Sequence, residues 1–309
     1  MLPCLVRAQG PLAGKVVDIG AEQAPLSDQA RLDLAKAVKT HDYKAEKAVL
    51  EAAIVANPTS AELFTVLGRL AYLERQPKEA ADSLHKADGI KTLSETDRVT
   101  LALAYEFSGR PQEGRAELLR LVKGAPDNPE YHYLLGRIER QNQQLEEAAG
   151  EFQKSIQLNA EALETYEYLG QTQEDLGLLD EARKTYAEAV RRNRLRPRPA
   201  ETPPFNLGLL LIKQGDNERA LKSIEEALRY NPRSGRSHYQ LGSILQKQGK
   251  DAEAVAEYQL AVVHDPKLRP AWLALGREYT RMGKTEDAAR ALAIFQKLEE
   301  QQRPAEPKK

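Results

Sequence analysis

The residues able to do chemistry are few and far apart. Five histidines, His41, His85, His132, His238 and His264, are the first candidates for a metal site or a proton shuttle. A helical metal pair needs ligands three or four residues apart so that both imidazoles leave one face, and no two of these are so spaced. Cys4 is the only cysteine, which excludes an intrachain disulfide and a cysteine-based metal site. Gly283-Lys284-Thr285 matches the end of a phosphate loop, but the preceding glycine, Gly276, is too far upstream. There is no Ser-centred elbow and no dinucleotide-type glycine cluster after a strand. The carboxylates are numerous and scattered. The sequence therefore reads as a non-enzyme with no cofactor and no metal, and a hydrolase built from dispersed carboxylates is the weaker reading.

Charge points to local rather than global preferences. Lys plus Arg number 45 against 46 for Asp plus Glu, so nothing in the balance favours nucleic acid or an anionic membrane. Apolar content of 41% with 6% aromatics suits a soluble helical chain. The longest apolar run, Leu207 to Ile212, is too short to span a bilayer. At the start, MLPCLVRAQG places small residues after a short apolar patch, as the end of a secretory signal would. Residues 1–8 read either as a truncated signal, which would put the protein in the periplasm or outside the cell, or as an accident in a cytoplasmic one. Residues 1–26 are expected to be a flexible leader.

The elements that would position any site emerge from self-similarity. Leu67, Leu101, Leu135 and Leu169 recur every 34 residues; a step of 38 reaches Leu207, and the shorter step resumes at Leu241 and Leu275. Ala80, Gly114, Ala148, Ala182, Ala220, Ala254 and Ala288 follow in the same register. Each leucine precedes a small residue (Gly68, Ala102, Gly136, Gly170, Gly208, Gly242, Gly276), which lets a second helix approach the first. Gly109, Gly177, Gly215, Gly249 and Gly283 are placed to end the first helix through a left-handed turn. Asn217, Asp251 and Thr285 are expected to cap the second. Asn57-Pro58, Asn231-Pro232 and Asp265-Pro266 stop it.

Trp272, Leu275, Gly276, Tyr279, Ala288 and Leu292 resemble the pattern of the tetratricopeptide repeats (TPR). Seven units fit, from Ala61, Glu95, Pro129, Leu163, Glu201, Gly235 and Arg269, after a degenerate one at 27–60. His132 and His238 stand where the family has its first packing aromatic, Arg98 and Pro204 replace it, Glu139 and Gln173 replace Tyr, and Gly114 softens one helix. The resemblance implies an all-α, right-handed superhelical solenoid over residues 27–302, one domain, followed by a polar tail at 303–309.

The resemblance also implies a scaffold whose first helices line a concave groove for a peptide or extended partner segment. The groove residues it points to are Arg69, Tyr72, Arg137, Asn206, Lys213, Arg236, Tyr239, Gln240, Lys247, Arg277 and Arg281. The family's clamp for a C-terminal carboxylate is not met, because Glu167 and Gln171 occupy the places of its Lys and Asn. Lys213, Lys247, Arg277 and Arg281 form a basic line suited to an acidic partner, while Glu164, Glu167, Glu174 and Asp175 make the preceding repeat acidic. The rival reading is a regulatory subunit that recruits or controls an enzyme on another chain; a bacterial envelope assembly is the setting if the leader is a signal.

Two features stay open. The insertion between repeats, RRNRLRPRPAETPP, reads either as a solvated junction near 193–201, with Thr202 capping and Pro203 opening the next helix, or as an anion-docking loop. Arg194, Arg196 and Arg198, together with Arg191 and Arg192, would carry the second. At the other end Ile294, Phe295 and Leu298 have no following helix, so a monomer with Gln296 facing water competes with weak homodimerisation.

Overall fold

The computed structural model describes residue 21 and residues 24–302, so Cys4, the signal-like residues 1–8 and the tail at 303–309 lie outside the described residues. The described residues form sixteen helices and no strand. In chain order they are α1 (Asp28–Thr40), α2 (Tyr43–Ala56), α3 (Ala61–Leu73), α4 (Pro77–Ile90), α5 (Glu95–Phe107), α6 (Pro111–Gly124), α7 (Pro129–Gln141) and α8 (Leu145–Leu158). They continue with α9 (Leu163–Asp175), α10 (Leu179–Arg194), α11 (Thr202–Lys213), α12 (Asn217–Tyr230), α13 (Gly235–Lys247), α14 (Asp251–His264), α15 (Arg269–Arg281) and α16 (Thr285–Gln302). The helices group into two compact units, α1–α8 and α9–α16. Each is an all-α solenoid of two-helix repeats.

The turn inside every repeat has one geometry. Gly109, Gly177, Gly215, Gly249 and Gly283 take φ of 79°, 76°, 81°, 75° and 71°. His41, Arg75 and Gln143 occupy the same register with φ of 52°, 58° and 63°, so the degenerate first unit is in phase with the others. The following N–H then bonds the carbonyl five residues back, as Gln76 does to Ala71 at 2.8 Å and Lys250 to Leu245 at 3.0 Å. This closes the exposed end of the first helix. It takes up three residues in seven of the eight repeats, and the second helix starts one position earlier than expected. Asn217, Asp251 and Thr285 are first helical residues rather than caps; Asp216 accepts the Arg219 N–H at 3.1 Å, and Lys250 makes no side-chain cap bond.

Small residues set the spacing between the paired helices. A Cβ on Gly170 would lie 2.3 Å from the Tyr186 ring, and one on Gly242 2.7 Å from Tyr258. In the α5–α6 pair the roles are exchanged: the first helix carries Ala102, and a Cβ on Gly114 of the second would stand 2.8 Å from the Ala102 carbonyl. Gly114 is therefore a contact residue, not a weak point in α6. Cores form between neighbours, as where Val99, Leu118 and Leu121 pack on Tyr131, Leu134 and Ile138. Ala24 and Leu26, read as leader in the sequence, are 1% and 8% exposed and join Leu34, Leu50 and Leu63. They cover the first repeat as another helix would.

The insertion is a closed loop. Asn193, 0% exposed near the end of α10, accepts the Ala200 N–H at 2.8 Å and donates to the Ala200 carbonyl at 2.7 Å. Thr202 is not a cap but the first residue of α11, whose N-cap is Glu201, and Pro203 and Pro204 fill its first turn.

Candidate protein-binding face

First helices of successive repeats touch (α3 with α5, α9 with α11, α11 with α13), and second helices make no comparable contact. Within each unit the first helices thus crowd the inner side. Their residues two, five and six places after the repeat leucine are the ones to examine.

In the first unit the expected ones are Arg69, Tyr72 and Arg137. Arg69 grips buried Asp97 with two bonds, Nε to Oδ1 at 2.6 Å and Nη2 to Oδ2 at 2.9 Å. Arg137 donates to Glu106 Oε1 at 2.9 Å and lies over the Tyr133 ring at 5.8 Å. Burial raises the pKa of Glu106, opposed by the Arg137 charge and hydrogen bond. Tyr72 is pushed up to about 12, first by burial and then by the charge of Glu106. Arg69 and Arg137 are accordingly occupied by neighbouring carboxylates.

In the second unit the expected basic line divides. Lys213 Nζ is 3.4 Å from Glu174, and Arg281 pairs with both Asp251 and Glu278. Arg236 donates to Glu201 at 2.9 Å and covers the Phe205 ring at 4.4 Å. Lys247 and Arg277 are exposed, and neither is in a salt bridge. They are the free cations of this face. Tyr239 leans on Tyr258 with ring centroids 5.9 Å apart. Asn206 and Gln240 are half-buried, and Leu209 and Ile212 add a partly buried apolar strip on α11. A uniform line of four cations is thus reduced to two, because Lys213 meets Glu174 from α9, and Arg281 meets Asp251 from α14 and Glu278 on its own helix.

The insertion arginines divide in the same way. Arg194 is bound to Glu226 by two bonds of 2.7 and 2.5 Å, and those bonds hold the Glu226 carboxyl below its usual range against the opposing effect of burial. Arg191 and Arg192 bond Glu188, and Arg192 also reaches Glu161. Arg196 and Arg198 are exposed and without a salt bridge.

The two histidines at the aromatic position are built into the repeat. His132 Nδ1 meets Glu151 at 2.6 Å and Nε2 meets the Pro126 carbonyl at 2.8 Å. His238 repeats this with Glu257 at 2.6 Å and the Pro232 carbonyl at 3.0 Å, and stacks on His264. Trp272 donates its indole N–H to the Pro266 carbonyl at 2.9 Å in the same way. The shared element is an N–H aimed at the proline that ends the preceding repeat. For His238, burial is the largest influence and lowers the pKa, but the Glu257 bond, the Pro232 carbonyl and the Glu257 charge together leave it raised. The sequence signal that would have found this is a carboxylate nineteen residues after each histidine, at Glu151 and Glu257.

Arg98, in the same place on α5, instead bridges Asp88 at 2.7 Å and Glu117. Glu139 takes Arg115 at 3.1 Å and Gln173 takes Thr185 at 2.7 Å where the family has Tyr. No helix of the described residues is long and apolar enough to cross a membrane.

Comparisons bear on the fold. Pseudomonas aeruginosa PilF shares 18% identity over 66% of this chain and 91% of its own, with a TM-score of 0.57. The Cut9 assembly of the anaphase-promoting complex, solved as Cut9–Hcn1, shares 14% identity over 79% of this chain and 48% of its own, at 0.52. YrrB, described as a TPR protein with an unusual peptide-binding site, shares 19% identity over 59% of this chain and 91% of its own, at 0.46. No curated protein sequence gives a significant match. Models of the tetratricopeptide repeat match residues 99–162, 163–194 and 205–269. With the in-phase turns and the exchanged small residues, these matches establish that the chain belongs to the tetratricopeptide repeat family.

Proposed function

We propose that this chain is a non-catalytic scaffold for protein–protein interaction, and that an extended acidic segment of its partner lies across α11, α13 and α15. The observation that carries this reading is the pair Lys247 and Arg277: they are exposed and free, while Lys213, Arg236 and Arg281 on the same helices already hold carboxylates. Leu209, Ile212 and Tyr239 supply apolar contact, and the amides of Asn206 and Gln240 suit the backbone of an extended chain. Arg69, Tyr72 and Arg137 give the first unit a second, more neutral contact surface. Arg196 and Arg198 offer an outlying anchor for the same acidic partner.

The test uses a fluorescent peptide that alternates Glu with Leu, titrated into wild type and K247E/R277E. An exposed contact contributes roughly up to 1 kcal/mol, so the double reversal should weaken binding about tenfold or more. Binding should fall with salt but keep an apolar remainder. R196S/R198S should weaken it less, with helix content unchanged. Equal affinity of K247E/R277E and wild type would overturn the assignment of this face.

A further inference from the structure

The outward side of the second helices carries a surface that the inner face does not explain. On these helices the solvent-facing positions are charged: Glu218, Lys222, Glu225 and Arg229 on α12, and Glu286, Arg290 and Lys297 on α16, all exposed. In α14 the same positions hold Ala252, Ala256, Gln259, Leu260 and Val263, all exposed, with Leu260 at 40% and Val263 at 67%. Glu253, also exposed, borders the stripe beside Leu260, and no charge lies within it. The stripe runs about 17 Å at 1.5 Å per residue. It is the one second helix among the described residues with an uncharged outward stripe.

We infer that α14 forms a two-fold interface with a second copy of this chain. Two arguments choose that occupant. First, the stripe is self-complementary when it meets itself antiparallel: the small Ala252 and Ala256 lie opposite the large Val263 and Leu260 of the other copy, knob against hole. Second, the flanking helices match in charge under the same two-fold. Stacked repeats place α12 and α16 on either side of α14, and the rotation sets α12 antiparallel to α12 of the other copy and α16 antiparallel to its α16. In that register Glu218 meets Arg229, Lys222 meets Glu225 and Glu286 meets Lys297, and Arg290 faces the neutral Ala293. Every charged pair is of opposite sign and no like-charge pair forms. The competing contacts inside one chain, Lys222 with Glu218 at 3.0 Å and Arg290 with Glu286 at 3.3 Å, are exposed i,i+4 pairs that rearrange at little cost. Glu225, Arg229 and Lys297 are in no salt bridge.

A contact centred on one helix is small, which places the dimer among weak, reversible associations. It uses the outer side of the second unit only, so that unit's inner face stays open, and the assembly presents it twice.

Sedimentation of the full chain over a wide concentration range tests this. Wild type should show a reversible monomer–dimer equilibrium, and L260E/V263E, at surface positions that leave helix content intact, should be monomeric throughout. R229E should raise the dimer dissociation constant several-fold, and R229E/E218R should restore it, which a merely structural effect of Arg229 would not. A wild type that stays monomeric overturns the inference. So does a dimer indifferent to L260E/V263E, which would move self-association to another face such as the end of α16. A charge reversal that the double variant fails to rescue overturns the two-fold register.

Discussion

Replacing Arg75 and Gln143 by glycine should stabilise the first unit. Both residues sit in the left-handed turn of their repeat, at φ of 58° and 63°, where five other repeats have glycine. A side chain there costs about 1–2 kcal/mol through the crowding of Cβ against the following carbonyl. Glycine returns roughly 0.5–1 kcal/mol of that through the extra freedom of its unfolded chain. The net gain is about 0.5–1 kcal/mol per site. Neither side chain makes a hydrogen bond or an ion pair that the substitution would remove, so little offsets it. For a unit of this size, each kcal/mol moves Tm by roughly 2–4 °C, and R75G/Q143G together should raise the transition of the first unit by a few degrees. Urea and thermal unfolding followed by circular dichroism measure this, with G177Q in the second unit as the reverse case, expected to lower stability by a similar amount. If R75G/Q143G is neutral or destabilising while G177Q is harmless, the left-handed turn is not the costly element, and the phasing of the repeats by that turn loses its energetic basis.

Other outcomes follow from the same contacts. The folded pKa of His238 is raised, so its clamp contributes fully below the unfolded value of about 6.5 and is lost as pH rises through the folded value; H238Q should therefore lower the urea midpoint more at about pH 5.5 than at about pH 9. Glu226 has a lowered pKa, so its contribution is present above about pH 4.3 and lost as pH falls through the folded value; acid unfolding of E226Q should be correspondingly less steep. G170A should destabilise by roughly 1–3 kcal/mol, because Tyr186 must move from 2.3 Å, and a neutral result by urea unfolding would show that the α9–α10 contact yields. N193A should free the insertion loop and raise hydrogen exchange at Ala200 without changing the helices on either side.

The periodic part of the fold was legible because it is local. Leu-Gly at a fixed interval, a later alanine and a glycine between them each answer a constraint within one helix pair, so Gly215 and Gly249 could be read directly as turns. The caps were misplaced by one residue because the residue whose N–H closes the turn, such as Asp216 or Lys250, is already the N-cap of the second helix. The inner face was only half legible. Its positions follow from the repeat, but the charge that remains there depends on partners such as Asp97 for Arg69 and Glu174 for Lys213, which lie 28 and 39 residues away. No local rule announces them. Asn193 was hidden for a similar reason: an asparagine among arginines reads as a solvated residue until the loop closes over it.

The exchange of Ala102 and Gly114 restricts how this contact can change one residue at a time. Making both alanine places a methyl 2.8 Å from a backbone carbonyl, which a backbone atom cannot evade by rotating. Making both glycine leaves a methyl-sized void, a loss of about 1 kcal/mol. The carbonyl stands there whatever side chain residue 102 carries, so shrinking Ala102 alone opens no space for a larger residue at 114. The two helices would also have to part, and the exchanged arrangement is held by the backbone rather than by one methyl.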